Sequence, residues 1–126
     1  MNTEKEYKKY RLFHTLSGKL VICGKNAEQN ESVVKLADNN EWILHTKAAG
    51  SPFCVIKDES DSKDLKETAN ICAKYSRDWK KNKKDVEVHA FRGKEIFKEK
   101  NMPIGTFGVK KARKIIAKKA NIEAIK

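Results

Sequence analysis

The chain alternates short apolar runs with polar breaks, and the apolar runs change period along its length. "YRLFHTL" (10–16) and "KLVICG" (19–24) read as two strands joined at the Ser17-Gly18 turn. The Leu20–Cys23 run is continuous, as expected of a central strand covered on both faces. Residues 26–39 change to helical spacing, with Val33, Val34 and Ala37 as a short apolar stripe. Asn26 is a suitable N-cap and Gln29 stands at capping-box distance; Asn39-Asn40 ends the segment. Trp42–Leu44 and Phe53–Ile56 read as strands on either side of a kinked, partly polar piece, "HTKAAGSP". An acidic loop (58–64) leads to the clearest helix, 65–79, with Leu65, Ala69, Cys72, Tyr75 or Ser76, and Trp79 on one stripe and Ser62 as its expected N-cap. A basic connection (80–85), an alternating strand (86–91) and an irregular stretch follow. The pattern then predicts a hairpin, with strands at 105–110 and 113–118 and a turn near Lys111–Ala112.

This order predicts an α+β domain: a mixed, mostly antiparallel sheet with two helices packed on one face of it. The 126 residues suffice for one core, and no linker divides them. Residues 1–8 are expected to be a flexible N-terminus, 9–119 the domain and 120–126 a tail with no readable pattern.

Charge changes the picture more than composition does. The net charge is +11. Residues 1–73 carry 11 basic and 11 acidic side chains, so the whole excess lies beyond them, where 17 basic residues face 6 acidic ones. It falls into two clusters. Lys74, Arg77, Lys80, Lys81, Lys83 and Lys84 follow the second helix, and residues 74, 77 and 81 share a face if that helix continues. Lys110, Lys111, Arg113, Lys114, Lys118 and Lys119 lie on the expected hairpin. Each cluster alone reads as a solvated face. Two in one segment point to a polyanion, since Lys and Arg beside phosphates release condensed counterions.

Enzyme signatures are missing: no Walker loop, GxGxxG, HExxH or GxSxG occurs. His14, His45 and His89 are far apart in sequence and form no recognisable triad, so neither catalysis nor a cofactor is expected. Cys23, Cys54 and Cys72 have no CxxC pairing and read as buried hydrophobes of a reducing compartment rather than zinc ligands. Neither a signal core nor a membrane-length run is present, and a cytoplasmic protein is expected.

Four segments, in register, resemble the NFACT RNA-binding domain family: "LVICGKNAEQNE" (20–31), "EWILHTKAAGSPFCVIK" (41–57), "ANICAKYSRDWK" (69–80) and "PIGTFGVKKARK" (103–114). Glu41 stands where that family usually carries Asp. The resemblance covers about residues 9–118. It implies a non-enzymatic RNA-associated domain whose larger members sit on the large ribosomal subunit beside peptidyl-tRNA, in ribosome-associated quality control. The chain resembles the short, stand-alone members, since no N-terminal NFACT segment, helix-hairpin-helix part or long coiled coil accompanies the motifs.

The RNA-contacting candidates are Lys25, Asn26, Gln29, Asn30, His45, Lys47, Ser51, Arg77, Lys80, Lys81, Lys110, Lys111 and Arg113. Several have structural readings of equal weight. Asn26 and Gln29 could cap a helix, Asn30 could fix a loop, Ser51 could close a turn, and His45 could be a structural imidazole near Glu41. Lys25 precedes a helix N-terminus, where an anion is favoured. Arg77 could fork onto a phosphate. The expected partner is rRNA or tRNA, bound through shape and phosphates. The alternatives are a general polyanion binder that takes DNA as readily, and a protein-interaction module.

Overall fold

The computed structural model describes residues 3–125, and the first part of the expected flexible N-terminus (1–2) lies outside them. Thr3–Tyr7 form a 3-10 turn. Strands β1 (Arg11–His14) and β2 (Leu20–Cys23) pair antiparallel around the Ser17-Gly18 turn. Helix α1 (Ala27–Val34) is followed by β3 (Trp42–Thr46) and β4 (Cys54–Ile56). Helices α2 (Ser62–Lys74) and α3 (Arg77–Asn82) come next, then β5 (Val86–Arg92). Short strands β6 (Ile96–Phe97) and β7 (Gly108–Val109) precede β8 (Arg113–Ala117) and helix α4 (Lys119–Glu123).

Six strands form one sheet in the order β1-β2-β4-β3-β5-β8, with every pairing antiparallel. The α+β class and the single sheet-centred domain are as the sequence predicts. The side-chain alternation of the strands splits the core in two. Val21, Cys23, Leu44, Cys54, Ile56 and Val88 face α2, with Leu65, Ala69 and Cys72. Ile22, Ile43, Val55 and Phe91 face the other way, towards Val33 and Val34 of α1. The helices therefore cover opposite faces, not one face. The apolar continuity of β2 and β4 requires this, because a run with no polar side must be covered on both.

Four further expectations are corrected. The first helix ends at Val34; Leu36 and Ala37 make tighter bonds to Val33 and Val34, and Glu41 Oε1 accepts from the Asp38 N–H beyond. The second starts from Asp61, not Ser62: Asp61 and Asp64 each accept the other's backbone N–H in a capping box. The 65–79 helix breaks at Tyr75–Ser76, so Lys74 lies on α2 while Arg77 and Lys81 lie on α3.

The fourth is the late hairpin. The strands around residue 109 and residue 115 do not pair with each other. β7 pairs with β6, within the stretch expected to be irregular, and β8 closes the edge of the main sheet against β5. The tail in which the sequence shows no pattern carries most of α4. Its Ile122 is fully buried in the α2-side core, and the Lys119 N–H donates to Asp85.

All three cysteines are free and fully buried. Cys23 and Cys54 are direct cross-strand partners on the α2 side. Burial, and then the neighbouring Cys23 and Cys72 thiols, push the Cys54 thiol well above its ordinary range.

Candidate nucleic-acid interface

α1 packs over β2 and β4, and on the same face, beyond the buried Ile43 and Phe91, β3 and β5 carry polar residues towards the surface. Alternation places His45 of β3 on that face, directly opposite His89 of β5, whose own partner on β8 is Lys114. The ring of His45 stacks on Phe53, centroid to centroid 4.2 Å with 29° between planes. Phe107 and Phe91 meet Phe53 edge-on, at 5.3 and 6.5 Å. Burial is the main cause holding the His45 imidazole down, to about 4, with His89 adding to it, so His45 is neutral at pH 7. His89 Nε2–H donates to the Glu87 carboxylate at 2.8 Å, and this bond first of all lowers the Glu87 carboxyl.

Three loops wall this floor into a groove of about 750 Å³. The first is the 47–53 turn. Thr46 N–H donates to Ser51 Oγ, Thr46 Oγ1 donates to the Ala48 carbonyl, and Ser51 Oγ donates to the Pro52 carbonyl. Gly50 takes φ +96°, and its carbonyl accepts the Arg77 N–H at 2.8 Å. A side chain there would be strained by φ and would come within 3.0 Å of Arg77 Cβ, so glycine lets Arg77 lie against the turn.

The second wall is the start of α1. Asn26 Oδ1 accepts the Gln29 N–H, Gln29 Oε1 accepts the Lys25 N–H, and Gln29 Nε2 donates to the Lys9 carbonyl. Asn30 is buried and spans to the first wall: its amide donates to the Ser51 carbonyl and accepts from the Phe53 N–H. The third wall is the loop before β7. Glu31 accepts from the Gly105 N–H and from Lys98, which also donates to the carbonyls of Pro103 and Thr106. The Gly105 bond is the first cause holding the Glu31 carboxyl below its usual range. Gly105, at φ +82°, sits so close to Ala27 that an added Cβ would meet it at 3.0 Å.

A family model described as "NFACT protein RNA binding domain" matches residues 9–111. The chain belongs to that family. A curated relative of this NFACT domain, the archaeal Rqc2 homolog aRqcH of Methanocaldococcus jannaschii, is 34% identical over 100 residues. That match takes in 75% of this chain and 15% of the relative. The C-terminal structure of the fibronectin/fibrinogen-binding protein from Streptococcus suis has the same fold, with a TM-score of 0.80 at 20% identity. The alignment covers 93% of this chain and 49% of that one. The chain thus spans about half or less of the length of the proteins it matches.

Within the NFACT domain, eight of the thirteen candidates line the one groove: Lys25, Asn26, Asn30, His45, Lys47, Ser51, Arg77 and Lys80. Apart from His45 on the floor, they divide into two kinds. Asn26, Asn30 and Ser51 spend their hydrogen bonds on the walls themselves. Lys25, Lys47, Arg77 and Lys80 are exposed at the rim. Among the described residues Lys25, Arg77 and Lys80 form no ion pair. The expected neighbour of His45, Glu41, turns elsewhere: its carboxylate accepts from Lys57 at 2.7 Å and from the N–H groups of Asp38 and Asp58.

Five candidates do not line the groove. Gln29 is turned to the Lys9 and Lys25 backbone. Lys81 is one residue further along α3 than Lys80. Lys110 and Lys111 lie between Val109 and Ala112, which do line the groove, and so flank it. Arg113 is the cross-strand partner of Ala90, whose side chain faces α2. It is Lys114, opposite His89, that shares the groove's side of the sheet. Sequence reasoning missed Tyr75, His89, Thr106 and Phe107 as lining residues. The "PIGTF" motif was the signal for the last two; His89 is signalled only by a register across β3 and β5.

Proposed function

We propose that the groove is the RNA-contacting surface of this NFACT domain, and that it binds without catalysing a reaction. The observation that carries this is the convergence of Lys25, Lys47, Arg77 and Lys80 on one aromatic-floored groove. Those cations come from three separate segments of the chain, and solvation alone gives no reason for them to converge. In this reading Lys25, Arg77 and Lys80 contact phosphates, with Lys47, Lys81, Lys110 and Lys111 extending the positive field along the strand. Asn26, Gln29, Asn30 and Ser51 act by holding the walls, and Arg113, on the opposite face of the sheet, adds only to the overall positive field. The RNA is tRNA or rRNA, met in the cytoplasm at the large ribosomal subunit; the Rqc2 relative supports ribosome-associated quality control as the setting.

Binding of a fluorescent tRNA, followed by anisotropy across a salt series, tests this. Affinity should fall linearly on log–log axes, and Arg77→Ala should make the slope shallower by about 1. A slope near zero would overturn the proposal. Competition at fixed salt identifies the polymer. Duplex DNA that displaced tRNA at equal concentration would favour general polyanion binding instead.

A further inference from the structure

Resting on that reading, we propose that the groove takes a single unstacked base from a single-stranded stretch of RNA, laid against the His45 and Phe107 rings that Phe53 supports from beneath. Three observations lead there. The floor is aromatic: the partly buried rings of His45 and Phe107 lie at its surface, stacked on and edge-on to Phe53, which is buried beneath them, and Lys98 Nζ sits 4.7 Å from the Phe107 centroid. It is held before any ligand arrives, since Asn30 fixes the backbone on both sides of Pro52 and Lys98 and Glu31 fix the loop that carries Phe107. A phosphate needs no aromatic surface beneath it, whereas an extruded base does.

The shape points the same way. The groove, about 750 Å³, falls within the range of pockets that hold small planar ligands. A duplex keeps its base faces stacked inside and presents phosphates outward, so it would touch only the rim. The rim cations then have a defined role. Lys25 stands on one wall and Arg77 on the other, placed for the phosphates on either side of a splayed nucleotide. His45, neutral at pH 7, presents its ring to the base without an unpaired charge beneath it.

The test uses eight-nucleotide oligouridylate and oligoadenylate, each intact and with one central abasic ribose, and an RNA duplex with as many phosphates. The abasic change deletes a base and leaves every phosphate, and it needs no altered protein. At least one intact strand should bind about tenfold or more tighter than its abasic form. It should also bind tighter than the duplex. In Phe107→Ala and His45→Ala the intact and abasic strands should converge, while the salt slope is retained. Equal affinity for intact and abasic strands with a steep salt slope would overturn base stacking and leave phosphate-directed RNA binding standing. Failure of every RNA to bind would overturn both.

Discussion

Asn30 shows how a residue can be part of a binding site by building it. Its buried amide joins the Ser51 carbonyl to the Phe53 N–H, and so fixes the turn between β3 and β4. Asn30→Ala should cost about 2 kcal/mol in denaturant unfolding, because a buried N–H is left without a partner. A loss below a few tenths would show that the turn is held by other bonds. The two histidines differ in what sequence tells of them. His45 is marked by ending an apolar strand. His89 looks like any polar residue of an alternating strand until the β3–β5 register sets it beside His45. The depressed His45 also has a pH consequence. The unfolded state takes up a proton below about 6.5, and the folded state resists until about 4. Stability should therefore decline as pH falls through that window, by up to about 3 kcal/mol. His45→Phe should flatten the decline between pH 7 and 5, a range in which the lowered carboxyls of Glu41 and Glu87 stay ionised. An equal decline in the variant would assign it to other groups.

At the scale of elements, the break between α2 and α3 matters most for the site. Ser76 is fully buried; its hydroxyl donates to the Ala73 carbonyl and accepts the Trp79 N–H, restarting the helix at a new angle. The restart is what brings the Arg77 N–H onto Gly50 and carries Arg77 and Lys80 to the groove. Ser76→Ala should cost about 1 kcal/mol in stability. It should also weaken tRNA binding more than Lys83→Ala does, since Lys83 lies beyond the groove; equal effects in the binding assay would contradict this. Helical periodicity alone runs through this break, because Leu65, Cys72 and Trp79 keep their stripe in either case. Only the N-capping serine signals it. The late hairpin failed for a related reason. Local pattern identifies "ARKIIAKK" as strand-forming, but its partner is the distant β5, and pairing across a sheet edge leaves no mark in nearby sequence.

At the scale of the molecule, the fold class was legible because the apolar periods of β2, β4, β5 and α2 are clear and the Ser17-Gly18 turn is local. The two-sided burial was legible as well, in the unbroken "LVIC" and "CVI" runs. It conflicted with the expectation of helices on one face, and the run pattern was the better guide. The charge asymmetry marks the C-terminal half as basic but does not mark the groove, which draws Lys25 and Lys47 from the balanced half. Linear charge counts do not see such convergence, since it depends on how a sheet brings loops together.

The three buried thiols have a use as a clock. Cys23, Cys54 and Cys72 belong to β2, β4 and α2, the elements that meet at the centre of the domain. No alkylating reagent reaches any of them while these elements stay packed, and burial pushes the Cys54 thiol up as well. Labelling should therefore wait on opening of the domain, and the three sites should be modified together rather than in turn. A ligand that binds only the closed form should slow all three equally, in proportion to its occupancy. Mass spectrometry of iodoacetamide-treated protein, with and without tRNA, would read this directly. Rapid modification of one thiol in native buffer would reveal a local opening between the sheet and α2.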